Sequence, residues 1–393
     1  MTEFVGPNRV RAIGWSIVRV LVVAVVVIVA MPRTSGAQTA TQAAPATSTA
    51  TADRPKVHLV TTGGTIANKA GGRLSAQELL GSVPQIADVA QVDAEEFSNL
   101  ASGELTLDQW LKLTRRLNEI MRNDPSAAGL VVTSGTDTLE ELAYFLHLTV
   151  RTDRPVVIVG AMRRPGVTGY EGQANLLDAV RVAADPQSRN KGALVVLNDE
   201  IWSAREVTKT DAQRLNTFQT RGYGVLGIVD TDRVVYYRDV VKRHSAKSEF
   251  DLTQVTALPR VDVLMTYQGA PGDLIKASAD QGARGIVIAT AAGATSGTQT
   301  DGIRYAREHQ VVVVRSTRTG AGRIAAPRRP ATSPTAPAAT SNGQTQQSPQ
   351  PPNAFGMTVA AEDLSPIKSR ILLMLALTKT ANPDEVQRMF VEY

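Results

Sequence analysis

The chain has 393 residues, 43% of them hydrophobic, which is enough for two domains of about 150 residues with buried cores. Its formal net charge is +5, but many cations lie near the N-terminus or beside a low-complexity tract. No basic stripe interleaved with aromatic residues indicates nucleic-acid binding. The absence of cysteine excludes disulfides, thiolate metal sites and a cysteine nucleophile.

Residues 1–37 have the pattern of an export signal. Three arginines lie within the first 19 residues, the apolar run VLVVAVVVIVAM follows, and Ser35-Gly36-Ala37 offers small residues for cleavage. The run is shorter than the ~20 residues of a membrane span. We therefore expect a periplasmic or secreted protein, which would be membrane-anchored if the signal stays uncleaved. Residues 38–54, rich in Ala, Thr and Ser, are predicted to be a disordered spacer.

From residue 55 onward, short apolar runs alternate with helical patterns, which predicts βαβ units and a parallel sheet. Ser75 and Glu78 form an S-x-x-E capping box, which marks a helix start. The predicted strands are 56–61, 129–133, 155–160 and 193–198, and the predicted helices are 75–82, 107–122, 138–149 and 173–184.

The polar stretch 236–248 is predicted to be a linker to a second α/β unit. Its predicted strands are 261–266, 285–290 and 311–316, and a final helix is predicted at 366–379. The predicted fold class is therefore α/β. A larger N-terminal domain, 55–225, has a parallel-type sheet flanked by helices, and a smaller C-terminal α/β domain lies within 226–393.

Residues 325–353 interrupt the C-terminal domain. They consist mainly of Pro, Ala, Thr, Ser and Gln, and they have too little apolar content for a core. The composition predicts a disordered low-complexity insert.

The first candidate site follows the predicted strand at 56–61, in the turn Thr61-Thr62-Gly63-Gly64-Thr65. Paired glycines permit a sharp turn and a close approach of a ligand to main-chain N–H groups. Ligands of parallel α/β sheets bind at the carboxyl ends of the strands, so Thr65 stands where chemistry is expected. The alternative is a tight turn whose threonines only cap backbone groups.

A second polar turn, Thr133-Ser134-Gly135-Thr136-Asp137-Thr138, follows the strand at 129–133 and precedes a predicted helix. Asp137 or a threonine there is compatible with a simple helix cap. The same turn is also suited to bind a substrate amine through Asp137 and a carboxylate through helix N-terminal N–H groups.

Lys209 lies between two threonines in Glu206-Val207-Thr208-Lys209-Thr210. Such a lysine is either a solvated charge or, within a cleft, a base for a hydroxyl, since desolvation favours the neutral amine. The four histidines show no paired metal spacing and no Ser-His-Asp pattern, and His58 is predicted to be structural.

Six stretches resemble the bacterial type II L-asparaginase family in order and spacing, over about residues 56–393. They are TTGGTIA, VVTSGTDTLEELAYFL, PVVIVGAMR, VLNDEI, REVTKTDA and SRILLMLALTKT. The resemblance implies an amidohydrolase that releases ammonia from L-asparagine through a threonyl acyl-enzyme and needs no cofactor. It also implies a homotetramer with its sites at subunit interfaces.

The resemblance further assigns roles to single residues. Thr65 matches the nucleophilic threonine, and Lys209 matches the base that acts on Thr136. Asp137 matches the group that binds the substrate α-ammonium, and Ser102 matches the serine that holds the α-carboxylate. A threonine hydroxyl needs an adjacent base and an oxyanion site to react.

Three positions depart from the family pattern. The segment 68–73 is short and lacks the usual tyrosine, and Gly103 replaces a glutamine beside Ser102. The insert occupies the segment from which the family supplies an acidic residue to the neighbouring subunit. Two other functions therefore stay open: a mixed-specificity glutaminase-asparaginase, and a catalytically weak amino-acid-binding homologue.

Overall fold

The structure is a computed structural model that describes residues 54–326 and 358–393. The predicted export signal lies outside the described residues, as do almost all of the predicted spacer and insert. Among the described residues, no helix combines the length and the apolar character needed to cross a membrane.

The described residues form two α/β domains, each built on its own sheet. The strands are β1 Lys56–Gly63, β2 Asn68–Lys69, β3 Gly72–Arg73, β4 Gln91–Leu100, β5 Ala127–Thr133, β6 Val156–Val159, β7 Ala193–Leu197, β8 Glu200–Ser203, β9 Thr208–Lys209, β10 Phe218–Gln219, β11 Gly227–Val229, β12 Val234–Tyr236, β13 Val261–Met265, β14 Gly285–Thr290, β15 Val312–Thr317 and β16 Thr358–Ala360. The α-helices are α1 Ala76–Gly81, α2 Ile86–Val89, α3 Leu107–Asn123, α4 Leu139–Thr149, α5 Gly172–Ala184, α6 Asp273–Asp280, α7 Gly297–Glu308, α8 Pro366–Ala376 and α9 Pro383–Glu392.

The N-terminal sheet has eight strands in the order β12-β11-β8-β7-β6-β5-β1-β4. The five strands from β7 to β4 pair in parallel, and β8, β11 and β12 extend the sheet antiparallel. Successive residues of β5 face opposite cores: Val132 packs with α3 and α4, and Val131 packs with α5. Because both faces are covered, the central strands are apolar throughout. The predicted fold class is confirmed.

The C-terminal sheet has the order β13-β14-β15-β16 and is parallel throughout. Helices α6 and α7 cover one face, and α8 covers the other. Helix α8 also packs against α4 of the N-terminal domain, so one apolar core continues from one domain into the other.

The predicted elements agree with the structure to within a few residues, but several elements were not predicted. The N-terminal sheet also continues through β11 and β12, beyond the predicted domain end at residue 225. The predicted linker contains the end of β12 and the buried His244 and Ser248, so this stretch packs against the body. The predicted final helix is followed by another, α9. The strand β4 was not predicted because its acidic sequence, QVDAEEFSNL, belongs to a sheet edge with little apolar alternation.

Helix α5 buries a carboxyl group, Asp178, beside Asp199. Burial and the hydrogen bond with Asp199 raise the pKa of Asp178 to about 7. In the unfolded chain this pKa is about 3.9. The folded state therefore holds a proton that the unfolded state has lost. The stability from this group is complete below about pH 4 and is lost as the pH rises through 7.

Replacing Asp178 with the uncharged isostere, Asp178→Asn, should remove this pH-dependent loss. At pH 8 we expect the variant to exceed wild type in free energy of unfolding by about 1–3 kcal/mol, with the difference shrinking towards pH 4. Urea denaturation at pH 4.5, 6 and 8 measures it. The exposed Asp273→Asn serves as the control. A pH-independent difference for Asp178→Asn would contradict the interpretation that Asp178 keeps its proton in the folded state.

Candidate active site

The carboxyl ends of β1 and β5 lie side by side because these strands are parallel neighbours in the sheet. Two hydrogen bonds join them at this edge. The Thr62 backbone N–H donates to Thr133 Oγ1 at 3.1 Å, and Thr62 Oγ1 donates to the Thr133 carbonyl at 2.7 Å. The two polar turns of the sequence therefore leave the sheet at the same level.

Glycines allow the two turns to touch. A Cβ atom on Gly64, whose φ is +86°, would lie 2.3 Å from the backbone nitrogen of Gly135. A Cβ atom on Gly135 would in turn lie 2.8 Å from Ser102 Oγ. No larger residue fits either position without moving the backbone. The ends of β1, β4 and β5 thus bring the residues around Thr65, Ser102 and Thr136 to one place.

Thr65 begins a single 3₁₀ turn, Thr65–Ala67, directly after Gly64. It is half-buried, and its hydroxyl makes no hydrogen bond within the part of the chain that the structure describes. The next residue is fixed from outside the turn, because the Tyr170 hydroxyl donates to the Ile66 carbonyl at 2.8 Å. Thr65 is therefore held by its neighbours while its hydroxyl stays available.

Thr136, Asp137 and Lys209 form a connected group. Lys209 Nζ donates to Thr136 Oγ1 at 3.0 Å and to Asp137 Oδ1 at 2.7 Å. The Lys209 side chain is only 15% exposed, whereas that of Asp137 is 83% exposed. The Lys209 amine therefore lies below the surface, and the Asp137 carboxylate faces the solvent, where a cationic group can reach it.

The short hairpin of β9 and β10 carries Lys209. Its backbone is also bound to α4: the buried Glu140 accepts from Thr208 Oγ1 at 2.9 Å and from the Lys209 N–H at 3.2 Å, both through Oε1. Ser102 is buried in the turn Ser102–Glu104 after β4, and its carbonyl accepts from Thr138 Oγ1 at 3.1 Å.

The five predicted site residues thus gather at one edge of the N-terminal sheet. His58 lies towards the opposite end of β1, where its Nε2 is 2.8 Å from Asp124 Oδ2, as expected for a structural histidine. Among residues 54–326 and 358–393, no group of three His, Asp or Glu side chains is placed to hold a metal ion.

Two residues that hold the backbone of the site, Tyr170 and Glu140, were not predicted from the sequence. Tyr170 lies in a glycine-rich loop with no periodic signal. Glu140 belongs to an acidic first helical turn, which is ordinarily explained by the helix dipole alone.

Comparison with known proteins identifies the family. The profile described as "Asparaginase, N-terminal" matches residues 56–242, and that of "Glutaminase/Asparaginase C-terminal domain" matches residues 260–390. The chain belongs to the asparaginase family.

Individual relatives of the asparaginase family cover most of the chain. L-asparaginase 2 of Bacillus subtilis (strain 168) is 38% identical over 87% of this chain and 87% of its own length. L-asparaginase 2 of Escherichia coli (strain K12) is 36% identical over 86% and 93%. The glutaminase-asparaginase of Pseudomonas fluorescens biotype A is 34% identical over 86% and 90%. The predicted type II family is confirmed.

A solved structure of the family has the same fold. The probable cytoplasmic L-asparaginase from Campylobacter jejuni superposes with a TM-score of 0.74 at 34% identity. The superposition covers 86% of this chain and 100% of that chain.

Substituting the touching glycine, Gly64→Ala, should disrupt the site of this asparaginase. The added methyl group meets the Gly135 backbone, and the positive φ is strained for alanine, so we expect a loss of at least about 2 kcal/mol in stability. Amide hydrolysis should fall at least about 100-fold, because small misplacements of reacting groups are costly. Denaturation and ammonia release measure both effects.

The matched control is Gly81→Ala at the end of α1, where a Cβ atom meets nothing within 4 Å. We expect it to leave stability unchanged or to raise it by up to about 1 kcal/mol, because alanine is the better helix former. Equal behaviour of the two variants would show that the approach of the two turns is not essential.

Proposed function

We propose that this chain hydrolyses L-asparagine to L-aspartate and ammonia. The observation that carries the proposal is the position of Lys209 Nζ, within hydrogen-bond distance of both Thr136 Oγ1 and Asp137 Oδ1 at the edge that also bears Thr65. Relatives named L-asparaginase 2 that are 36% and 38% identical support the substrate.

In the proposed reaction, Thr65 Oγ attacks the carbon of the side-chain amide. The Thr65 hydroxyl proton is transferred to the amide nitrogen, the carbon–nitrogen bond breaks, ammonia leaves and a threonyl ester remains. Water then attacks the ester, which releases aspartate and restores the hydroxyl. Lys209 serves as the base for Thr136, and backbone N–H groups of the two turns stabilise the oxyanion.

Substrate orientation would rest on opposite charges at two points. Asp137 projects an exposed carboxylate that suits the α-ammonium group, and Ser102 lies beside Gly135 to receive the α-carboxylate. A binding protein would need only these two contacts. A lysine placed on Thr136 favours an enzyme over a binding protein, because binding requires no activated hydroxyl.

Glutamine is a second candidate substrate. Gly103, next to Ser102, is exposed, and a Cβ atom there would meet nothing within 4 Å, so no side chain of this residue narrows the neighbourhood of Ser102. Relatives named glutaminase-asparaginase are 34% identical to this chain. The ratio of ammonia release from asparagine and glutamine decides between a strict and a mixed specificity.

We also propose export through residues 1–37 into the periplasm or medium, and assembly as a homotetramer with sites at subunit interfaces. The signal-like sequence supports export. Exposed large apolar side chains on the C-terminal domain, Met265, Tyr267 and Leu274, support self-association. The N-terminal mass of the exported chain and its sedimentation test these two proposals.

Removing the base, Lys209→Met, should lower the maximal rate by about 10²–10⁴-fold while changing the affinity for aspartate much less. Lys209→Arg should fail nearly as badly, since a guanidinium group stays charged and accepts no proton. Steady-state ammonia release and aspartate binding provide the measurements. The exposed Lys276→Met is the control. Near-normal activity of Lys209→Arg would reduce Lys209 to a fixed positive charge.

Removing the proposed nucleophile, Thr65→Ala, should abolish turnover and leave the melting temperature nearly unchanged, because the hydroxyl bonds to no described residue. Mass spectrometry of acid-quenched enzyme should show an aspartyl adduct in wild type and none in the variant. Retention of more than a few per cent of the wild-type rate would assign the nucleophile to Thr136.

A further inference from the structure

The backbone that delivers Lys209 is held by buried charges from both domains. Residues 205–209 leave β8 and enter the hairpin of β9 and β10. Two charged side chains outside this segment reach its backbone: Glu140 from α4 and Lys368 from α8. Both are almost fully buried, at 7% and 2% exposed. A buried charge is costly unless it is paired, so these contacts need a specific explanation.

Glu140 joins the two halves of the site. It lies three residues after Asp137, in the first turn of the helix that the Thr136 turn precedes. Its Oε1 accepts from Thr208 Oγ1 at 2.9 Å and from the backbone N–H of Lys209 at 3.2 Å. Both hydrogen bonds go to the strand that carries Lys209, and Glu140 itself belongs to the helix that directly follows the Thr136 turn.

Lys368 binds the same segment at Arg205 and Val207, on the N-terminal side of Lys209. Its Nζ donates to the carbonyl of Arg205 at 3.1 Å and to the carbonyl of Val207. It also lies 6.0 Å from the centre of the Tyr144 ring. An ammonium group with two carbonyl acceptors restricts the path of the chain at both residues.

The two charges also act on each other and on the segment between them. Burial and the nearby Arg205 lower the pKa of Lys368 to about 8, while the carboxylates of Glu140 and Glu206 act in the opposite direction. Without these carboxylates the ammonium would be less stable. Glu140 therefore compensates Lys368 electrostatically, as well as accepting hydrogen bonds from the segment.

The start of the segment has its own anchor. The Arg205 guanidinium forms a two-fold hydrogen bond with Asp363, at 2.8 and 2.7 Å, and donates to the Tyr393 carbonyl at 2.6 Å. Arg205 and Lys368 thus fix the beginning of the segment, Glu140 fixes its end, and Thr136 and Asp137 bind the Lys209 amine. A reacting amine placed in this way loses little freedom when the reaction begins.

We propose that Glu140 and Lys368 are positioning residues that fix the backbone of residues 205–209, so that Lys209 Nζ reaches Thr136 Oγ1. The inference rests on the proposed role of Lys209 and adds two residues that act on it through its backbone. Lys368 belongs to the C-terminal domain, so that domain contributes to the chemistry of a site built on the N-terminal sheet. Neither residue contacts the reacting atoms.

The test is a double-mutant cycle between Glu140→Ala and Lys209→Met. Alone, Glu140→Ala should lower kcat by about 10–100-fold, the effect of misplacing a reacting group by up to about 1 Å, with KM changed less than about threefold. In the Lys209→Met background the same substitution should cost less than about twofold, because the group being positioned is gone. Glu140→Gln keeps the acceptor oxygen and should recover most of the activity.

A purely structural role would give a different pattern: the fractional loss from Glu140→Ala would be the same in both backgrounds, and that result would overturn the proposal. Full activity of Glu140→Ala would overturn it too. The matched control is Glu141→Ala, on the same helical turn, whose carboxylate pairs with Arg370 and not with residues 205–209. It should change kcat less than about twofold.

Two further variants keep the test decisive if Glu140→Ala does not fold. Thr208→Val removes the hydroxyl donor to Glu140 at nearly constant volume, and Lys368→Met removes both carbonyl contacts. Each should lower kcat several-fold in the wild-type background and have no further effect with Lys209→Met. High activity of Lys209→Met itself would instead refute the proposed base, which separates failure of the function from failure of this inference.

Discussion

The site depends on the close approach of two backbones, at Gly64 and Gly135. The register of β1 and β5 pairs Val60 with Val132, so both strands reach the sheet edge together. A Cβ atom at Gly64 would collide with the Gly135 backbone, and one at Gly135 would collide with Ser102. The absence of both Cβ atoms keeps the hydroxyls and the main-chain N–H groups within one small volume, which is the arrangement that acyl transfer requires.

Charge burial has a separate role in this protein. Arg205, Lys368 and Glu140 lie inside the molecule, where desolvation offsets much of what their pairing contributes to stability. Apolar residues of similar size would stabilise such an interior at least as well. Ionic groups contribute geometric specificity instead, because each hydrogen bond fixes the relative position of two particular atoms. The continuous core of α4 and α8 supplies the cohesion, and the charges determine where the chain lies within it.

Much of the fold was predictable because its signals are local. Apolar runs locate β1 and β5, the Ser75 capping box locates the start of α1, and the two glycine turns can be recognised in the sequence itself. The edge strand β4 was missed because it is held by parallel pairing with β1 rather than marked by an apolar pattern of its own. Pairing across the sheet leaves no periodic pattern in the sequence.

The site itself was only partly predictable. Family motifs pointed to Lys209, but nothing in the sequence connects Glu140 to Thr208, 68 residues away, or Lys368 to Val207. One signal was present for Lys368: with Arg370, it is one of two charges in a largely apolar helix, SPIKSRILLML. Such a residue is either at the surface or paired inside, and only the packing of α8 against α4 decides which.

The compact hairpin of β2 and β3 has a kinetic consequence. In many enzymes a long loop closes over the bound molecule, and the reopening of this loop is the rate-limiting step of turnover. Here the chain beyond Thr65 turns back at once: Asn68 pairs with Arg73, and the Leu74 N–H donates to the Ala67 carbonyl at 2.8 Å. A segment tied so tightly is too short to sweep across the opening. We therefore expect the site to stay accessible to solvent on this side, with product leaving by diffusion and the water of the proposed hydrolysis entering by the same route.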